Sequence, residues 1–158
     1  MKKIFVLMLF LGILMCIDIH AVEIAYMQTP EGIAYSVNEN DEIVVEGSAG
    51  YVNKLVIPDM IDGKPVRYIN EYAFYGNPNI TSVTISDNVI QIGADAFGNC
   101  QELITVRLPA NLEVIEASTF AKCGMLSKID LPDTLKSIGD YAFEACIRLR
   151  KLKIPASV

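Results

Sequence analysis

The sequence has no tryptophan, and His20 is its only histidine. Its 158 residues include 13 Lys and Arg against 19 Asp and Glu, with no run of basic residues interleaved with aromatic ones. This balance disfavours a nucleic-acid partner. Because no histidine follows position 20, the rest of the chain cannot build a Ser–His pair, a Cys–His pair or a zinc site with histidine ligands. The sequence also lacks a glycine-rich phosphate loop, so we expect a protein that is not an enzyme and has no cofactor, metal or catalytic residue.

Residues 1–21 have the three parts of a secretory signal peptide. Lys2 and Lys3 form a charged start, Ile4 to Ile17 form an apolar run, and a short polar tail ends at Ala21, where cleavage is expected. The apolar run has 14 residues, whereas a membrane-spanning helix needs roughly 20. We therefore predict a cleaved signal and no transmembrane span in the mature chain, whose 11 basic and 18 acidic residues give a net charge of −7.

Two alternatives to a cleaved signal peptide stay open. The segment could be an uncleaved membrane anchor, or Cys16 could be the lipidated residue of a lipoprotein. Met15 is bulky at a position where lipoprotein processing favours a small residue, which disfavours lipidation. In each case the protein leaves the cytoplasm, so we expect it to be secreted or held at the cell surface.

A nine-residue phrase occurs three times at intervals of 23 residues. It reads IGADAFGNC at 92–100, IEASTFAKC at 115–123 and IGDYAFEAC at 138–146. Apolar positions upstream keep the same period, among them Val83, Val106, Ile129 and Leu152. Repeats of about 20–29 residues are typical of leucine-rich repeat solenoids, in which stacked units bury apolar faces that no unit buries alone.

The repeats are predicted to occupy residues 52–158, as four units of about 23–28 residues and an incomplete fifth. The first unit carries a five-residue insertion within DMIDGKPV, at 59–66, which reads as a surface turn. The preceding residues 22–51 do not repeat. Their alternating runs GIAYSV and EIVVEG flank the turn-like NEND, so we expect an N-terminal β-hairpin cap on the first coil.

Within a unit, alternating apolar residues predict a short strand, and a proline at 58, 109, 132 or 155 ends it. Ser86 takes the proline position in the second unit. The Ala–Phe segment that follows is short and fits a single helical turn that places one aromatic ring in the core. We predict an α/β solenoid: a right-handed leucine-rich repeat coil with a parallel β-sheet on its concave face and short helical turns on the other side.

The unit L-x-x-I-x-L-P-x-x-L-x-x-I-G-x-x-A-F-x-x-C resembles the BspA-like leucine-rich repeats of bacterial surface and secreted proteins. The Ala–Phe and Cys positions mark the subclass, and the resemblance covers roughly residues 32–158. Departures are Glu116 in place of Gly, Thr119 in place of Ala and Asn77 in place of Cys. The resemblance implies adhesion to proteins of a host or a neighbouring cell, often proteins of the extracellular matrix.

Three cysteines recur in the repeats: Cys100, Cys123 and Cys146. Their spacing of 23 residues differs from the C-x-x-C pattern of metal sites. A disulfide is also disfavoured, because side chains in register on stacked coils point the same way and meet the required geometry poorly. We therefore predict that the three thiols form a buried ladder of small apolar side chains.

The strand residues that alternate with the buried ones form two outward columns. The first column holds Lys54, Ser82, Thr105, Lys128 and Lys151, and the second holds Val56, Thr84, Arg107, Asp130 and Lys153. Five of these ten residues are cationic and one is acidic, so the sheet is expected to steer an anionic partner toward it. We predict a ligand-binding face made of Lys54, Thr84, Thr105, Arg107, Lys128, Asp130, Lys151 and Lys153. The alternative is that these cations serve solubility and resist edge pairing.

Three functions fit the sequence. The preferred one is an exported binding module that adheres to a protein partner, or to an acidic glycan, through the solenoid surface. The second is a structural component of the cell envelope whose coils self-associate. The third is a parallel β-helix that acts on polysaccharides, but that chemistry needs clustered carboxylates and the two columns offer only Asp130.

The fifth unit reaches Val158 before its Ile, Phe and Cys positions. Terminal repeats of a solenoid need a polar outer face. We therefore expect either a longer repeat array or end-to-end association of two copies at this coil, and a stable monomer in sedimentation would contradict both expectations.

Overall fold

The computed structural model describes residues 27–158. The predicted signal peptide, 1–21, and residues 22–26 of the predicted cap lie outside the described residues. The strands are β1 (Met27–Gln28), β2 (Ile33–Val37), β3 (Ile43–Ser48), β4 (Lys54–Ile57), β5 (Met60–Ile61), β6 (Lys64–Ile69), β7 (Ser82–Ile85), β8 (Gln91–Ile92), β9 (Thr105–Arg107), β10 (Val114–Ile115), β11 (Lys128–Asp130) and β12 (Ser137–Ile138). Over 27–158 the chain forms no α-helix, and hence none that could cross a membrane.

The repeats form a β-solenoid of four coils, at 52–79, 80–102, 103–125 and 126–148. Strands β4, β7, β9 and β11 contribute one strand from each coil to a parallel sheet. Equivalent residues pair across this sheet, so that Leu55, Val83, Val106 and Ile129 lie side by side and buried. The parallel sheet predicted from the repeat period is thereby confirmed for these four coils.

A second strand row runs through β6, β8, β10 and β12, and β3 of the cap extends it. Pairing is continuous from β3 through β6 to β8, and it resumes between β10 and β12. In the part of the chain that the structure describes, no ladder pair joins β8 to β10. The second strand row is therefore interrupted between the second and third coils.

Glycine sets the spacing of the coils in this row. A Cβ at Gly93 would lie 2.6 Å from the backbone nitrogen of Glu71, and one at Gly139 would lie 2.5 Å from that of Ala117. Glu116 takes the equivalent position in the third coil. Its Cβ needs the space that glycine leaves empty elsewhere, and we attribute the interruption between β8 and β10 to it.

The Ala–Phe segments do not form the helical turns that we predicted. Two residues in each segment have positive φ, such as Asp95 at 53° and Asn99 at 58°, and such left-handed residues interrupt a right-handed helix. Hydrogen bonds alternate in direction: the Gly98 amide donates to the Asp95 carbonyl at 2.9 Å, whereas the Phe97 amide donates to Thr119 of the next coil at 3.0 Å. Each segment is thus a run of β-turns whose free amides bond to the neighbouring coil. A helix could not link the coils in this way, because its amides would be paired within the helix.

The phenylalanines of successive coils are stacked with their ring planes nearly parallel and offset. Phe74, Phe97, Phe120 and Phe143 follow one another at centroid distances of 5.2, 5.6 and 5.7 Å, with ring planes within 11° of parallel. Phe97 and Phe120 are completely buried, while Phe143 is half-buried. The predicted placement of one aromatic ring per unit in the core is confirmed, and together the rings form an aromatic ladder.

The cap is a β-hairpin that continues the solenoid. Strands β2 and β3 pair antiparallel, and β3 also pairs in parallel with β6 of the first coil. The five-residue insertion forms a second hairpin, β5–β6, which is tied to the cap because Tyr35 donates to Asp62 and Lys64 donates to Asp41. The hydrogen bond to Asp62, together with burial, raises the pKa of Tyr35 to about 12.

Candidate binding surface

The outward side chains of β4, β7, β9 and β11 form one surface, the strand face. Its first column is Lys54, Ser82, Thr105 and Lys128, and its second is Val56, Thr84, Arg107 and Asp130. All eight side chains are exposed or half-exposed, while the residues between them are buried. The strand face therefore brings together six of the predicted site residues: Lys54, Thr84, Thr105, Arg107, Lys128 and Asp130.

Lys151 and Lys153 do not join the strand face, so the predicted fifth strand is wrong. No strand forms at 151–154. The Arg150 amide donates to Arg148 at 2.9 Å, whereas its equivalent in the fourth coil, Ser127, donates across to Ile104 of the preceding coil at 3.0 Å. The chain turns locally at this point and leaves the register that would have continued both columns.

A shallow open depression of about 720 Å³ lies in the middle of the strand face. Its walls include Thr84, Thr105, Arg107, Lys128 and Asp130 from the two columns. The segment after β11 closes one side with Asp133 and Thr134, and the Thr134 hydroxyl is held by donating to the Ala110 carbonyl at 2.9 Å. The depression combines cations, carboxylates and hydroxyls within one concave area.

Arg107 is held in a fixed position at this depression. One guanidinium nitrogen donates to the Ile85 carbonyl at 2.8 Å, and the other donates to both carboxylate oxygens of Asp87, at 3.1 and 3.0 Å. Asp87 also accepts the Ala110 amide at 2.8 Å. The Ala110 amide and the Arg107 guanidinium together hold the pKa of Asp87 below its ordinary value. Arg107 thus presents a charge whose position is set before any partner arrives.

Asp87 is a functional candidate that the two columns did not reveal. It belongs to a third column, one residue after the proline position, which holds Asp59, Asp87, Ala110 and Asp133. The 23-residue period of the sequence could have identified Asp87. Because Asp87 lies against Arg107 and Asp133 lines the depression, the strand face is mixed in charge and lacks the strong positive excess that we predicted.

The profile of the family described as BspA-type leucine-rich repeat region matches residues 52–158 in six copies. This chain belongs to that family. The resemblance drawn from the Ala–Phe and Cys positions is thereby confirmed. No curated protein matches the chain.

Solved structures of bacterial leucine-rich repeat proteins are similar to this BspA-type solenoid. One from Bacteroides ovatus is 31% identical with a TM-score of 0.74, over 84% of this chain and 36% of that one. A leucine-rich cell surface protein from Faecalibacterium prausnitzii is 29% identical with a TM-score of 0.73, over 80% and 32%. A leucine-rich repeat protein from T. pallidum is 27% identical with a TM-score of 0.67, over 84% and 73%. The chain spans about a third of the length of the first two.

The BspA-type cysteines form a ladder parallel to the phenylalanines. Cys100 and Cys123 are buried, as predicted, and Cys146 is half-buried; all three are free thiols. Each donates to the phenylalanine carbonyl of the preceding coil at 3.0–3.1 Å. The thiol therefore satisfies a carbonyl oxygen inside the core. Residues 27–158 contain no cluster of three or more His, Cys, Asp or Glu that suits a metal.

The cysteine ladder should make stability fall at alkaline pH. Burial raises the pKa of Cys100 from 9.0 to about 11 and also raises the pKa of Cys123. A thiol in the unfolded chain therefore ionises at a lower pH than the same thiol in the folded chain. The contribution of the thiols to the free energy of unfolding is complete below about pH 9 and is lost as the pH rises toward 11. Urea unfolding at pH 7.5, 9 and 10, under reducing conditions, should show this fall, and Cys123→Ala should lessen it. An equal fall in stability in the unaltered protein and in Cys123→Ala would show that the buried thiols do not cause it.

Proposed function

We propose that this BspA-type solenoid is the ligand-binding part of a bacterial protein exported to the cell surface, and that it binds a protein partner through the strand face. Membership of the family supports a repeat-based binding module. The similar protein from Faecalibacterium prausnitzii is described as a cell surface protein, which supports the location. The export signal predicted at 1–21 and the adhesive role belong to the same proposal.

The fixed position of Arg107 is the observation that carries this proposal. A free arginine loses rotamer freedom when it binds, which weakens association, but Arg107 is already ordered by Asp87 and the Ile85 carbonyl. Arginine is also among the residues enriched at the energetic centres of protein interfaces. Its place at a concave area on an otherwise regular sheet gives a partner one defined anchoring point.

The mixed charge of the strand face favours a protein over an acidic glycan. Arg107 faces Asp130 on the neighbouring strand, and Lys128 lies two residues before Asp130 on β11. Asp87 is paired with Arg107, and Asp133 lines the depression. A polyanion would meet these three carboxylates together with the cations. A protein surface carries both signs and can complement such an arrangement.

Charge reversal tests this function. The double variant Arg107→Glu/Lys128→Glu should bind at least tenfold more weakly to the matrix protein that the unaltered chain binds best among immobilised fibronectin, laminin and collagen, with heparin as the acidic glycan. Lys136→Glu is the matched control, because Lys136 is exposed but lies outside the depression. Lys136→Glu should keep the unfolding midpoint, whereas the double variant should lower it, because Arg107→Glu places a second carboxylate beside Asp87. Binding is therefore compared at a temperature well below both midpoints.

Arg107→Lys separates the effect of the fixed position of Arg107 on binding from the effect of its charge. Arg107→Lys keeps the cation, but its single nitrogen does not reproduce the two guanidinium nitrogens that hold the Ile85 carbonyl and the Asp87 carboxylate together, so we expect an intermediate, several-fold loss of binding. Undiminished binding by the double variant, or a loss that the Lys136 control shares, would refute the strand face as the site. Preferred binding to heparin would replace the protein partner with an acidic glycan.

A further inference from the structure

Two exposed tyrosines stand together on the β-turn segment of the first coil. Tyr72 is 58% exposed and Tyr75 is 48% exposed. Their rings meet edge to face, with centroids 5.7 Å apart and planes 71° apart. The pair lies on the turn segments and not on the strands, so it is separate from the strand face.

The backbone conformation does not favour tyrosine at position 72. Tyr72 has φ of 57°, a left-handed conformation in which a bulky side chain is uncommon and costs free energy. The equivalent positions in the second and third coils hold Asp95 and Ser118 with the same sign of φ, and only the fourth coil repeats the tyrosine, as Tyr141. Because Tyr72 is exposed, packing of the core does not require a tyrosine at this position either.

Gly98 makes room for the second ring. A Cβ there would lie 3.0 Å from Cδ2 of Tyr75 and 2.8 Å from Oδ1 of Asp95. Gly98 is not among the residues with positive φ. Glycine is therefore needed here because it has no side chain, and not because of its backbone conformation. Tyr75 therefore rests against the surface of the next coil, and a carboxylate oxygen lies within reach of the same point.

The two turn segments beside the rings carry polar groups and no positive charge. Asp95 and Asn99 are half-exposed on the adjacent coil, and Asn99 accepts a hydrogen bond from Gln101 at 3.1 Å. The two turn segments, 70–78 and 93–101, contain the carboxylates Glu71 and Asp95 and no lysine or arginine. This surface would repel a sulfate, phosphate or carboxylate on a ligand.

From this geometry we propose that Tyr72, Tyr75, Gly98, Asp95 and Asn99 form a tyrosine platform that binds a sugar ring of a neutral glycan. The face of an aromatic ring is electron-rich and attracts the polarised C–H groups on the flat side of a pyranose. A carboxylate accepts hydrogen bonds from neighbouring sugar hydroxyls, and an amide both donates and accepts them. The perpendicular second ring supplies an edge and a phenol beside the first.

Titration calorimetry with cellohexaose, maltohexaose and mannohexaose tests the tyrosine platform, with a heparin hexasaccharide as the anionic comparison. We expect a neutral hexasaccharide to bind and the heparin fragment not to bind. Tyr72→Ala and Tyr75→Ala should each weaken binding about tenfold, since one stacking contact contributes about 1.4 kcal/mol. Gly98→Ala should weaken it several-fold by displacing the Tyr75 ring while both rings remain.

Tyr141→Ala is the matched control. Tyr141 shares the coil position and the positive φ of Tyr72 and is 68% exposed, but the fourth coil has Glu144 where the first has Tyr75. Binding should be unchanged in this variant and in the strand-face variant Arg107→Glu/Lys128→Glu. The tyrosine platform is refuted if no neutral hexasaccharide binds, or if Tyr75→Ala binds like the unaltered chain. Loss of a protein ligand in Tyr75→Ala without sugar binding would reassign this surface to a protein.

Discussion

Phe120→Ala is expected to lower the free energy of unfolding by about 3–5 kcal/mol. The ring is fully buried and is stacked on both faces, by Phe97 at 5.6 Å and by Phe143 at 5.7 Å. Its removal leaves a cavity that neither neighbour can fill, because each of those rings is held by its own coil. Urea unfolding followed by far-ultraviolet circular dichroism measures the loss.

Phe143→Ala is the matched control for this change. Phe143 is half-buried and has one stacked neighbour among the described residues, Phe120. Less apolar area leaves water when this ring packs, so the loss should be clearly smaller than for Phe120→Ala. Equal losses at the two positions would show that stacking inside the ladder adds nothing to the burial of a single ring.

Gly139→Ala should be nearly as damaging, although it adds only a methyl group. The new Cβ would lie 2.5 Å from the Ala117 nitrogen and 2.8 Å from the Glu116 carbonyl carbon. Both are backbone atoms, so no side chain can move aside, and the third and fourth coils must separate. Overpacking costs about 1–3 kcal/mol, and the bond from the Gly139 amide to Ile115 at 2.7 Å adds about 1 kcal/mol when it is lost.

Gly124→Ala controls for the general effect of replacing glycine. Nothing lies within 4 Å of the position its Cβ would take, and Gly124 is not among the residues with positive φ. Alanine should therefore leave the free energy of unfolding unchanged or raise it by about 0.4–1 kcal/mol. If Gly139→Ala were equally harmless in denaturant unfolding, the close approach of the third and fourth coils would not hold in solution.

The parallel sheet and its outward columns could be predicted because period and alternation constrain them directly. When a unit of 23 residues repeats, equivalent residues such as Thr105 and Lys128 fall next to each other, and the side that faces water follows from the alternation. The β-turn segments could not be predicted in the same way. An apolar pattern says which residue enters the core, but it says nothing about the sign of φ at Asp95 or Asn99.

The details of the candidate site needed contacts between coils. The anchoring of Arg107 depends on Asp87, which precedes it by 20 residues and belongs to a column outside the strands. The absence of a strand at Lys151 and Lys153 goes with a local turn at Arg148. The period places Asp87 in its column, but it shows neither that this carboxylate reaches Arg107 nor that the chain turns at Arg148.

The interruption in the second strand row gives the solenoid a seam. In a stack of repeats each coil contacts only its neighbours, so stability is close to a sum over successive interfaces. The interface between the second and third coils keeps the parallel sheet and the turn hydrogen bonds but lacks the β8–β10 pair, which both flanking interfaces have at the equivalent position. Of the three interfaces between the described coils, we therefore expect this one to separate first under heat or a pulling force, and we attribute its weakness to Glu116.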